Sequence, residues 1–158
     1  DIGKVGVPRE ILVKPGRYTP EEFEIMKSHV LVAERMLVGA DIDDMVRNIA
    51  LYHHERWDGS GYMRGLAGER IPLEARIVAV ADVFDALSNK RVYHDAWNWD
   101  EVFGYFLEES GRHFDPCLVD ILLENRDEFT DIWEQYHDEC GVCYTARESA
   151  RDGANRPE

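Results

Sequence analysis

The chain has 158 residues, 44% hydrophobic and 32% charged, with three cysteines and a formal net charge of −14. That is enough apolar material for one globular domain and too much for a disordered chain. The acidity disfavours nucleic acid or an anionic membrane as partner, no apolar run approaches the roughly 20 residues that span a bilayer, and an odd cysteine count argues for a reducing, cytoplasmic setting.

Residues 5–18, VGVPREILVKPGRY, read as a loop with a Pro15-Gly16 turn. Thr19, Pro20 and Glu22 then form a capping box, and Phe23, Met26, Val30, Ala33 and Leu37 follow at helical spacing until Gly39. A second helix is predicted over 44–55 with Met45, Val46, Ile49 and Ala50 inward. Residues 56–71 hold Gly59, Gly61, Gly65 and Gly68, a long loop of the kind that carries function. Pro72 opens PLEARIVAVADVFDALSN, which is apolar nearly all round and predicted to be central. Asn98 and Glu101 form a second capping box for a helix through Leu107, Asp115-Pro116 starts another, and 127–138 is a last amphipathic helix. The four tryptophans, Phe103, Tyr105 and Phe106 are most simply core. No segment alternates as a strand does, so the fold class is all-α. The acidity is concentrated in 101–139, with 12 acidic and 2 basic side chains. The first hundred residues are therefore free to meet an anionic substrate.

Polar residues on faces that should be buried carry the chemical signal. His29 lies on the inward stripe of its helix, His53 continues the stripe of the next, and Asp82 and Asp85 share one side of the most apolar helix. His53 and His54 are adjacent, and neighbouring helical residues point about 100° apart, so they converge on one centre only if it is a cluster of more than one ion. A solvated helix end is the plain alternative. A buried carboxylate costs several kcal/mol, on the order of a lost ion pair, unless it is paired or binds metal; Asp85 has a structural alternative in a neighbouring helix start or Arg76. Imidazole and carboxylate donors without thiolate suit Fe, Mn or Zn and a hydrolytic centre. The CxxC of Cys140 and Cys143 near His137, lacking a second pair, is weak evidence for zinc.

The fragments DIGKVGVP, EEFEIMKSH, HHERWDGSGY, GERIPLEARIVAVADVFDALSNKRVY and HFDP, in this order, resemble the HD-GYP domain of the HD phosphohydrolase superfamily. The resemblance implies a helical HD-domain bundle over 1–138, with its N-terminal helices upstream of Asp1 and a tail at 139–158. It further implies a metal site between helices that holds two or three divalent ions, Fe or Mn in first place and Zn, Ni or Mg as alternatives. The implied activity is hydrolysis of cyclic di-GMP to pGpG or GMP, with a homodimer or a diguanylate cyclase domain as candidate protein partners. Position by position, it makes Asp1, His29, His53, His54 and Asp82 metal ligands, and Asp1 and Lys4 catalytic. Lys4, Arg91, Tyr93, Gly61 and Tyr62 become substrate contacts. Three departures stand out: the histidine of the HD pair would precede Asp1, GYP reads GYM at Met63, and His94 stands where some members carry a lysine or arginine. They keep open a second expectation, a non-catalytic receptor or interaction module. An HD enzyme for another phosphoester, such as a nucleotide, is disfavoured by the glycine loop.

Overall fold

The computed structural model describes residues 1–89 and 97–136. Arg91, Tyr93 and His94, and the tail with His137, Cys140 and Cys143, lie outside the described residues. In chain order come a 3-10 turn at Ile2–Gly6, then α1 (Arg9–Leu12), α2 (Pro20–Lys27), α3 (His29–Leu37) and α4 (Asp44–Tyr52). A 3-10 turn at Gly68–Arg70, α5 (Leu73–Ser88), α6 (Trp99–Glu108) and α7 (Pro116–Glu124) follow, and residues 126–136 are helical. The described residues form no strand, as an all-α fold requires, and none of their helices is long and apolar enough to cross a membrane. The chain forms two compact units, Asp1–Asp120 and Ile121–Glu158.

Both capping boxes form. Thr19 Oγ1 accepts from Glu22 N while Thr19 N donates to the Glu22 carboxylate, and Asn98 and Glu101 exchange the same pair of bonds. The helix expected from Pro20 to Gly39 breaks at Ser28, whose hydroxyl donates to Ile25 O at 2.6 Å. A serine that competes for a helix carbonyl favours such a break, and α3 restarts at His29. Within the predicted loop 5–18, α1 forms because Ile11 is buried with Val7 and Met26 in a small cluster that Tyr18 covers. At the far end of α3, Arg47 donates to Leu37 O and Ala40 O, satisfying carbonyls that a helix end leaves open.

In the first unit α3 packs on the Ile2–Gly6 turn, α2 and α4; α4 packs on α5 and α5 on α6. Gly3 permits the first contact. A Cβ there would lie 1.8 Å from His29 O and 2.6 Å from Ala33 N, so only glycine lets the turn rest on the α3 backbone. Ala75 and Ala79 give α5 its close approach to its neighbours, and Val102, Phe103, Phe106 and Phe114 fill the core beside α6.

Four expectations about burial and pairing need correction. Met45 and Val46 are exposed, because the buried stripe of α4 is its last turn, Ala50 and His53. Helix α5 is buried at Ala75, Ala79, Val80 and Ser88, whereas Leu73, Ile77, Ala81, Asp82 and Asp85 are exposed. Arg76 does not serve Asp85; it donates to the buried Asp115 at 2.5 Å and to Ile71 O, while Asp85 accepts from Asn89. Trp97 is 38% exposed and no core residue.

Candidate metal centre

Helix α4 ends one residue before the histidine pair, with His53 as its C-cap. His54 therefore leaves the helical path, and the two rings come to 4.0 Å of each other, which regular helix geometry forbids for neighbours. The helix predicted to reach Glu55 stops at Tyr52 for this reason. His29, on the first residue of α3, meets His54 edge-on at 5.0 Å and His53 at 5.9 Å.

Asp1 completes the group. One donor atom from each of Asp1, His29, His53 and His54 lies within 4.8 Å of the others. Asp1 Oδ1 is 3.5 Å from His29 Nε2 and 3.6 Å from His53 Nε2, while its Oδ2 accepts from Lys4 Nζ at 2.5 Å. Two bonds of about 2.1 Å at a tetrahedral angle separate their donor atoms by about 3.4 Å, so these spacings suit a shared ion.

Hydrogen bonding supplies a sharper test of fit. His29 Nδ1 faces Met26 O at 2.6 Å and His53 Nδ1 faces Ile49 O at 2.8 Å. A carbonyl only accepts, so each Nδ1 carries the proton and each Nε2 keeps a lone pair. Both Nε2 atoms are buried and make no hydrogen bond among the described residues. Such orphans are costly unless something binds them. Burial pushes all three imidazole pKa values down, His54 to about 2 with His53 and His29 contributing. The rings are thus neutral, the form that binds metal. The donor set fits a divalent transition metal.

Asp82 stands outside this group on the exposed side of α5, although its charge pulls the His53 and Tyr62 pKa values upward against and with burial, respectively. Tyr62 stacks on His54 at 4.8 Å and 29°, and burial drives its pKa to about 12. Gly61 lets the loop double back, since a Cβ would lie 2.3 Å from Arg56 N and 2.5 Å from Glu55 Cα. The Tyr62–Met63 peptide is cis.

Sequence reasoning missed Glu55. It is 2% exposed, and its carboxylate accepts from Arg64 N at 2.6 Å and Leu66 N at 3.0 Å. One residue beyond His54, it ties the far side of the glycine loop to the histidine cluster. Trp57 N and Asp58 N donate to His113 O and Arg112 O, and Arg56 pairs with Glu109 at 2.6 Å, so the near side is anchored too. The available signal was a carboxylate adjoining the histidine pair, but nothing local says that it points inward.

A family model for the HD domain matches residues 1–118. The chain is 47% identical over 155 residues to the cyclic di-GMP phosphodiesterase response regulator RpfG of Xanthomonas campestris pv. campestris, covering 97% of this chain and 39% of that protein. It is 46% identical over 141 residues to a cyclic di-GMP phosphodiesterase of Thermotoga maritima, covering 88% and 38%. It is 45% identical over 134 residues to the 3'3'-cGAMP-specific phosphodiesterase 2 of Vibrio cholerae, covering 84% and 26%. The chain thus spans well under half the length of these relatives.

Proposed function

The chain belongs to the HD domain family, and from that membership we propose that it is a metal-dependent phosphodiesterase that hydrolyses cyclic di-GMP to pGpG or GMP. The observation that carries the reading is the pair of buried, unbonded Nε2 atoms of His29 and His53 converging with Asp1. Such lone pairs are costly unless bound, which supports a metal-loaded centre.

Asp1 Oδ1, His29 Nε2, His53 Nε2 and a ring nitrogen of His54 would hold two or three divalent ions, with Asp82 as a further ligand. Imidazole and carboxylate without thiolate suit Fe, Mn or Zn, and the family resemblance puts Fe or Mn first. Bound ions would supply Lewis-acid polarisation of the phosphodiester and activation of water. The chain's own residues do the remaining work. Met26 O and Ile49 O fix the tautomer and orientation of two ligand rings. Lys4 steadies the second oxygen of Asp1 and keeps a positive charge, 42% exposed, where an anionic phosphate arrives; the same charge stabilises negative charge that develops during attack. Gly61 and Tyr62 border the substrate through the loop that Glu55 secures, and Arg91 and Tyr93 add contacts by resemblance to the family.

A second substrate has a specific observation in its favour: the relative named for 3'3'-cGAMP is about as similar to this chain as those named for cyclic di-GMP. The deciding experiment incubates the metal-loaded, full-length protein with each cyclic dinucleotide and follows products by ion-exchange chromatography. The reading expects pGpG or GMP from cyclic di-GMP, abolished by chelator and restored by Fe or Mn. Tight binding without product would establish the receptor instead, and faster cleavage of 3'3'-cGAMP would reassign the substrate.

A further inference from the structure

We propose that Lys27 is a substrate-binding residue that takes up the phosphodiester of a cyclic dinucleotide that is not being cleaved. The proposal rests on the phosphodiesterase reading above. Such a substrate carries two anionic phosphodiesters, and the group around Asp1 can engage one of them for hydrolysis. The other stays charged and needs a counter-charge of its own. A cation close to the metal group, but outside it, is what the second phosphate requires.

Lys27 meets that description. Its Nζ lies 5.2 Å from the ring centroid of Phe23 and 5.8 Å from that of Tyr62. Tyr62 in turn stacks on the ligand histidine His54, so the ammonium is one ring removed from the metal group. Phe23 meets Tyr62 edge-on at 6.0 Å, and two aromatic rings sharing one cation hold it in place. The Lys27 side chain is mostly packed, 20% exposed. Its carboxylate partner, Glu24 at 2.5 Å, has a side chain 70% exposed. A pair of that kind contributes little and exchanges readily for a better anion. Phe23, 44% exposed at the rim, gains cover when a ligand arrives. A surface lysine satisfied by Glu24 alone would not need α2 and the glycine loop to bring two rings to it.

The test compares wild type, Lys27→Met and Lys27→Arg as metal-loaded, full-length proteins. Methionine keeps the apolar stem and removes the charge. One substrate is cyclic di-GMP; the other is bis(p-nitrophenyl) phosphate, which has a single phosphodiester. Lys27→Met should raise KM for cyclic di-GMP about tenfold, the loss of one charge-assisted contact made in the ground state. Its kcat, its metal content and its KM for bis(p-nitrophenyl) phosphate should match wild type, and Lys27→Arg should recover most of the lost affinity. Unchanged KM for cyclic di-GMP in Lys27→Met overturns the proposal. So does an equal loss on both substrates, or a loss of metal, because either outcome makes Lys27 a support of the centre. Failure of the wild type itself to cleave cyclic di-GMP overturns the underlying reading and this proposal with it.

Discussion

Replacing Glu55 by glutamine tests whether a single buried carboxylate holds the glycine loop against the histidine cluster. The two side chains have nearly the same shape, so packing is preserved. Glu55 accepts from two backbone N–H groups, Arg64 N and Leu66 N, in a site that is 2% exposed. Hydrogen bonds to a charged acceptor contribute about 1.5–3 kcal/mol each, and an amide offers one oxygen and one donor in place of two charged acceptors. One loop N–H must then face an NH2 group. The loss is about 3 kcal/mol, which lowers the melting temperature by roughly 6–12 °C in a protein of this size. The damage should be local in origin. Hydrogen exchange at Arg64 and Leu66 should accelerate strongly, while amides in α6 lose only the protection that global stability confers. Because Tyr62 sits in the same loop, KM for the cyclic dinucleotide should rise more than kcat falls. Thermal unfolding and hydrogen exchange on wild type and Glu55→Gln measure both effects. A melting temperature within about 2 °C of wild type, or unchanged exchange at Arg64 and Leu66, would refute the reasoning.

Gly3→Ala should displace the turn that carries Asp1, since its Cβ would lie 1.8 Å from His29 O; metal affinity should fall at least about tenfold, and a wild-type titration curve would count against the packing argument. His53→Ala and His54→Ala should each lower metal content and cut turnover by well over about tenfold, whereas near-wild-type metal in either variant would reduce that histidine to a helix-end residue. The pH dependence of the metal-free protein follows from its buried histidines. His54 and His113 have pKa values pushed down by burial, to about 2 and about 4 from 6.5. Below 6.5 the unfolded chain takes up protons that the folded chain refuses, so stability present above pH 6.5 drains away as pH falls, by up to about 1.4 kcal/mol per pH unit for each such histidine. Urea midpoints at pH 7.5, 6 and 5 should decrease in that order. His113→Phe should flatten the decline, and midpoints that rise on acidification would contradict the assignment of neutral buried rings.

What was legible in the sequence was local. Thr19–Glu22 and Asn98–Glu101 announce helix starts because a cap and its partner lie three residues apart, within one turn. The adjacent His53 and His54, with glycines crowded after them, pointed to a candidate centre of more than one ion, but the helix end at Tyr52 that lets their rings approach was visible only in the structure. Hydropathy along α5 spoke to apolar content and not to which side would be covered; the helix buries Ala75, Ala79, Val80 and Ser88 and leaves Asp82 and Asp85 exposed. Only the tertiary structure brought Asp1 to His29 and His53 across the fold, by resting a turn on α3 through Gly3. It alone turned Glu55 inward to the loop, gave Arg76 to Asp115, and set Lys27 over Tyr62. Each of those depends on a partner distant in sequence or on which face becomes buried, and burial is what turns an ordinary carboxylate or imidazole into one that must be satisfied.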